Sequence, residues 1–215
     1  MKLKQFLFQL WPPYEAYITH KQIDRTNNRT GVNTRWDLIQ TEIRNLLPDK
    51  DEANYKELQY AAEQIQNAEI KRKETLENKA STFIAGIGIA TSIVSTVPVL
   101  FTEMWKIPTI WAATAGAAYL VAIIHLLIAA YYAVKVRRVD GFARPCADTF
   151  VESMKQNKGK AKDRIILTIA QTRWNENLIL RKSNYLSVVE DLFLRGLAFV
   201  TFAAVIVVAT KLSAY

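Results

Sequence analysis

The stretch RKETLENKASTFIAGIGIATSIVSTVPVLF, residues 72–101, passes from dense charge into dense hydrocarbon with neither proline nor glycine at the border. Those two residues are the strongest punctuation a helix meets, and from Asn54 onward the chain has neither until Gly86. One helix must therefore begin in a solvent that suits charge and end in one that suits apolar side chains. At about 1.5 Å per residue, the part from Asn54 to Ala80 would project roughly 40 Å from the apolar part.

Apolar residues are gathered into three blocks, 82–102, 109–134 and 192–212. Each is near the roughly 20 residues that a helix needs to cross a bilayer core of about 30 Å. The first two carry long uncharged runs; the third holds Arg195 near one end and Lys211 near the other, whose stems can carry their charges to the headgroups. The expected fold class is all-α: an integral membrane protein with about three transmembrane helices and long cytoplasmic helical extensions. The expected domains are a cytoplasmic helical region with a stalk over 1–81, a transmembrane hairpin over 82–134, a second cytoplasmic helical region over 135–191, and a third span over 192–212.

Cations set the orientation. They crowd before the first block at Lys71, Arg72, Lys73 and Lys79, after the second at Lys135, Arg137 and Arg138, and before the third at Arg181 and Lys182. The turn EMWKIP at 103–108 holds only Lys106. By the positive-inside rule the N-terminus and the 135–191 segment are cytoplasmic, as in a multi-pass protein of the inner membrane. Lys79, Lys182, Arg137 and Arg138 are the expected interfacial anchors. The formal charge of +8 is then explained by topology and contact with anionic membrane lipid. The opening MKLKQFLFQLWPP has a short apolar run interrupted by Gln9 and no small-residue cleavage site, which fits an interfacial or docking segment better than a signal peptide. Cys146 is the single cysteine, so no internal disulfide can form.

In the cytoplasmic parts, WDLIQTEIRNLL at 36–47 places Trp36, Ile39, Ile43, Leu46 and Leu47 on one helical face, stopped by Pro48. Leu58, Ala61, Ala62, Ile65 and Ala68 give the stalk a narrow apolar stripe that should pack on a neighbouring helix. Gly141 and Pro145 break the chain after the second block, a helix is expected around 147–157, and KQNKGKAKDR at 155–164 reads as a basic turn. From Ile165 a further helix runs into the third block without a breaker.

Several residues are candidates for function. Ser81, Ala85, Gly88, Ser92 and Ser95 recur at helical spacing in the first block. Such a face permits close helix packing or, in an assembly, a polar pore lining. Ala112 with Gly116, and Ala113 with Ala117, are small pairs suited to a tight hairpin. His125 is an ionisable group inside the second block and needs a partner there. Lys155, Lys158, Lys160, Lys162 and Arg164, with Trp174 downstream, offer cations and a stacking ring to nucleic acid or anionic lipid, if the run is not simply solvated. Enzymatic chemistry finds no purchase. His20 and His125 form no close metal-binding pair, GIGIAT at 86–91 lacks the third glycine of a dinucleotide fingerprint, and GKAKDR lacks the Walker glycine and hydroxyl. No catalytic residue, metal or cofactor is expected.

The two helix-to-membrane junctions echo one another. ENKASTFIAGIG and LRKSNYLSVVED each set a lysine, a small residue and an aromatic in close order, Lys79–Ala80–Phe83 and Lys182–Ser183–Tyr185. This arrangement, over roughly residues 65–210, resembles the SLATT-type membrane effectors of bacterial antiviral systems, which are paired with synthases of nucleotide second messengers. The resemblance implies homo-oligomerisation and permeabilisation of the membrane when infection is sensed, with a cytoplasmic protein partner from a defence system. The alternative is an anchor or scaffold that holds a cytoplasmic protein or nucleoprotein at the membrane.

Overall fold

The computed structural model describes residues 13–14, 17–18, 21, 32–47, 52–101, 109–138 and 160–213. Among the described residues there are four helices, α1 (Val32–Leu46), α2 (Glu52–Phe101), α3 (Thr109–Arg137) and α4 (Lys160–Leu212), and no strand. The fold class is all-α. α2 has 50 residues and α4 has 53, so both run from charged into apolar sequence as single helices. The described residues divide into two units. A stalk unit holds α1, residues 52–75 of α2 and residues 160–182 of α4; a hairpin unit holds residues 76–101 of α2, all of α3 and residues 183–212 of α4.

In the stalk unit α1 lies antiparallel to α4. Its Ile39 and Ile43 bury against Ile166 and Ala170, flanked by Trp36, Leu47, Ile169 and Trp174. The Trp36 and Trp174 rings meet edge to face at 5.8 Å, and the Arg35 guanidinium stacks 5.4 Å from the Trp174 ring. Exposed ion pairs Arg173–Glu42 at 2.8 Å and Arg44–Asp163 at 3.6 Å follow the same register. The helix predicted over 36–47 is present and begins four residues earlier, at Val32; its face is as expected except for Leu46, which is exposed.

Two expectations for this unit are corrected. The basic turn is partly helix, because α4 starts at Lys160 and carries Asp163 in its first turn, where a carboxylate complements the partial positive charge of the helix N-terminus. The stalk stripe also faces the wrong way. Leu58, Ala61, Ile65 and Ala68 are exposed, and of the five only Ala62 is buried. The helix expected around 147–157 and the segment 1–12 lie outside the described residues.

In the hairpin unit each helix buries a seam at alternating three- and four-residue spacing, the pattern of left-handed helix packing. α3 contributes Ala115, Ala118, Ala122, Leu126, Ala129, Ala133 and Val136; α4 contributes Val189, Leu192, Gly196, Ala203 and Ile206. α2 contributes Ala80, Ile87, Ala90 and Val94. Ala80, Val136 and Leu186 form one cluster, and Ala115 with Ile206 and Val207 another. α3 therefore runs antiparallel to α4, while Ala80 beside Leu186 and Gly86 beside Phe193 make α2 parallel to it. The alanine seam allows backbones to approach closely. Of the small pairs expected for this role, Ala112 packs against the cluster of Ala115, Ile206 and Val207, whereas Ala113 and Ala117 are exposed and a Cβ added at Gly116 would meet nothing within 4 Å.

Among the described residues, two helices are long and apolar enough to cross a membrane, α3 over Ile110–Arg137 and α4 within Lys162–Thr210. Only 28% of the apolar stretch of α3 and 22% of that of α4 is buried inside the chain. A core helix of a water-soluble protein would be largely covered, and these two are not. For the block at 82–102, the side chains beyond Val94 lie outside the described residues.

Candidate functional site

The small-residue face of α2 points away from the unit's own packing. Ser81 is half-buried, whereas Ala85, Gly88 and Ser92 are exposed, and a Cβ at Gly88 would have no neighbour within 4 Å. Within one chain this face is therefore not the packing seam. The hydroxyls are already bonded: Ser81 donates to the Glu77 carbonyl at 2.9 Å, Thr91 to Ile87 at 2.7 Å and Ser92 to Gly88 at 2.9 Å. Such back-bonding lets a serine face hydrocarbon or water without an orphaned donor. The side chain of Ser95 lies outside the described residues.

His125 sits half-buried on α3. Its Nδ1 lies 2.8 Å from the Val121 carbonyl, and because a carbonyl only accepts, Nδ1 carries the proton. The ring also packs 5.5 Å from Phe199 of α4, tilted by 42°. One partner of the ring is thus a carbonyl of the same helix one turn back. Tyr119, on the same helix, donates its hydroxyl to the Val94 carbonyl and ties α3 to α2.

The anchors divide. Lys79, Arg137 and Arg138 are exposed. Lys182 is 4% exposed, buried rather than presented at the surface. Helical periodicity explains this: Gln171, Asn175 and Lys182 fall on one face of α4, and the first two are also buried, at 5% and 2% exposure. Gln66 of α2 donates to the Gln171 side chain at 3.0 Å, and Lys73, two turns further along α2, is 5% exposed. The stalk unit thus buries a polar seam where the sequence suggested an apolar one. Of the basic run, Lys162 and Arg164 are half-buried on the first turns of α4, while Lys155, Lys158 and the side chain of Lys160 lie outside the described residues. Among the described residues no group of three or more His, Cys, Asp or Glu could hold a metal ion.

One cluster escaped the sequence reading. The Lys135 ammonium lies 4.7 Å from the Tyr131 ring centroid, 5.5 Å from Tyr185 and 5.7 Å from Tyr132. Tyr131 and Tyr132 meet edge to face at 5.5 Å, and Tyr132 and Tyr185 are tilted by 47° at the same separation. The spacing of Tyr131, Tyr132 and Lys135, one helical turn, was a usable signal; Tyr185 comes from another helix and no spacing announces it.

No protein-family model matches the chain, and comparison with characterised proteins and with solved structures finds no match either.

Proposed function

We propose that the chain is a multi-pass protein of the inner membrane, N-terminus cytoplasmic, that crosses the bilayer with 82–102, 109–134 and 192–212 and assembles into homo-oligomers. As a non-enzymatic effector it permeabilises the membrane in antiviral defence, under control of what its cytoplasmic half binds. The observation that carries this reading is the outward Gly88–Ser92 face. The chain's own packing uses Ala80, Ile87, Ala90 and Val94 instead. A glycine inside a helix costs roughly 0.5–1 kcal/mol relative to alanine, and its return is the close approach of another backbone. In an assembly, serines on that face give a narrow polar wall that ions can pass. Exposed Ile89 and Ile93 on the same segment suit lipid or a neighbouring copy. Helices α2 and α4 are continuous, so a cytoplasmic displacement or rotation reaches the apolar segments without a loop to absorb it.

A second reading, an anchor for a cytoplasmic partner, is favoured by the exposed Leu58, Tyr60 and Ile65 on the stalk. Dye release from liposomes carrying the purified chain separates the two. Permeabilisation requires release above that of protein-free vesicles, and Ser92→Leu with Ser95→Leu should reduce it while cross-linked oligomers persist. Release unaffected by those leucines removes the face as a pore lining. Full incorporation without release leaves only the anchor.

A further inference from the structure

We propose that Lys135, Tyr131, Tyr132 and Tyr185 form a headgroup site for an anionic phospholipid, a proposal that rests on α3 spanning the membrane. Lys135 stands in the last turn of α3, half-buried, with three ring faces around its ammonium. No carboxylate pairs with it among the described residues; its neighbours there are the tyrosines. Ring quadrupoles attract a cation but leave its full charge in place. With no acidic partner among the described residues, the ammonium keeps its charge for an outside anion, and the cage fixes its direction.

The surroundings select the kind of anion. The site closes the apolar stretch of α3, where a phosphodiester at the membrane surface would lie. Tyr131 is 57% exposed, with an apolar ring that suits the acyl–headgroup boundary and a hydroxyl that can donate to a phosphate oxygen. Exposed Arg137, in the same last turn, and Arg138, just past the helix end, add positive potential. A zwitterionic headgroup carries its own cation and gains less from this field. A free phosphate offers the same oxygens but no acyl chain for the rings to cover.

Native mass spectrometry of the full chain in detergent, titrated with phosphatidylglycerol, phosphatidylcholine or inorganic phosphate, tests the assignment. Wild type should prefer phosphatidylglycerol to phosphatidylcholine by about fivefold per cation engaged. Lys135→Gln should lose that factor, Lys135→Arg should keep it, and inorganic phosphate should compete weakly. The proposal is overturned if Lys135→Gln keeps the preference, or if Lys135→Arg loses it too, since the cage would then act through shape rather than charge. Phosphate binding as tight as that of the lipid would reassign the site to a soluble anion. Failure of wild type to float with vesicles of either lipid would instead sink the membrane reading itself.

Discussion

Of the four described glycines, Gly196 leaves the least room for a side chain. A Cβ there would sit 3.0 Å from both Cγ and Cδ2 of Leu126 and 3.5 Å from the Ala122 carbonyl oxygen. Leu126 is 2% exposed, so it has no room to turn away. Gly196→Ala sets a gain of about 1 kcal/mol in helix propensity against displacement of Leu126 by a few tenths of an ångström, and the two should nearly cancel. Gly196→Val adds two methyl groups at the same crossing and should destabilise by about 1–3 kcal/mol, the range for overpacked cores. Shortening the obstacle in the double variant Gly196→Val, Leu126→Ala should return part of that loss, giving a coupling of about 1 kcal/mol between residues in contact. Gly88→Ala provides the contrast, since nothing within 4 Å opposes its Cβ; it should stabilise the single chain by roughly 0.5–1 kcal/mol. The assay is reversible unfolding of the purified chain in mixed micelles, followed by circular dichroism. If Gly196→Val unfolds at the wild-type midpoint, α3 and α4 do not cross at this residue and the seam described above is wrong.

The Gln66–Gln171 pair should behave as a buried hydrogen bond: Gln171→Leu alone costs about 1–2 kcal/mol by leaving the Gln66 amide without its partner, and adding Gln66→Leu recovers most of it. A double variant as unstable as the sum of the singles would show that the pair is not coupled. Trp174→Ala should free α1 from α4 at a cost of about 2 kcal/mol, visible as faster hydrogen exchange over Val32–Leu46, because it removes the edge contact with Trp36 and the platform under Arg35. Arg173→Ala should cost less than about 1 kcal/mol, its partner Glu42 being exposed; equal effects from the two would mean that charge, not the rings, holds α1.

Much of the architecture was legible in the residues. Helical continuity is a local property: without proline or glycine between Asn54 and Gly86, each peptide bonds to the turn before it whatever surrounds it, and α2 follows. α4 obeys the same rule from Ile165 onward, with its start drawn back to Lys160. Capacity to cross a membrane is likewise a matter of length and composition, which is why α3 and the apolar end of α4 were visible in advance.

Which face each helix buries was not legible. On the stalk, two large residues spread among alanines make too weak a stripe to dictate packing. The buried side is instead the one bearing Lys73, whose four-carbon stem is largely apolar. In the hairpin unit several alanine registers were available on α3, and only the facing surface of α4, with Gly196 set against Leu126 of α3, selects the one at Ala115–Ala122–Ala129. The gathering of Lys135 with Tyr185 required two helices distant in sequence to meet at one level. The sequence by itself determined the helices and the solvent each segment suits, because hydrogen bonding within a turn and hydropathy along a run involve only near neighbours. The tertiary structure decided orientation about each helix axis, because that depends on how two surfaces fit, and neither surface carries the fit alone.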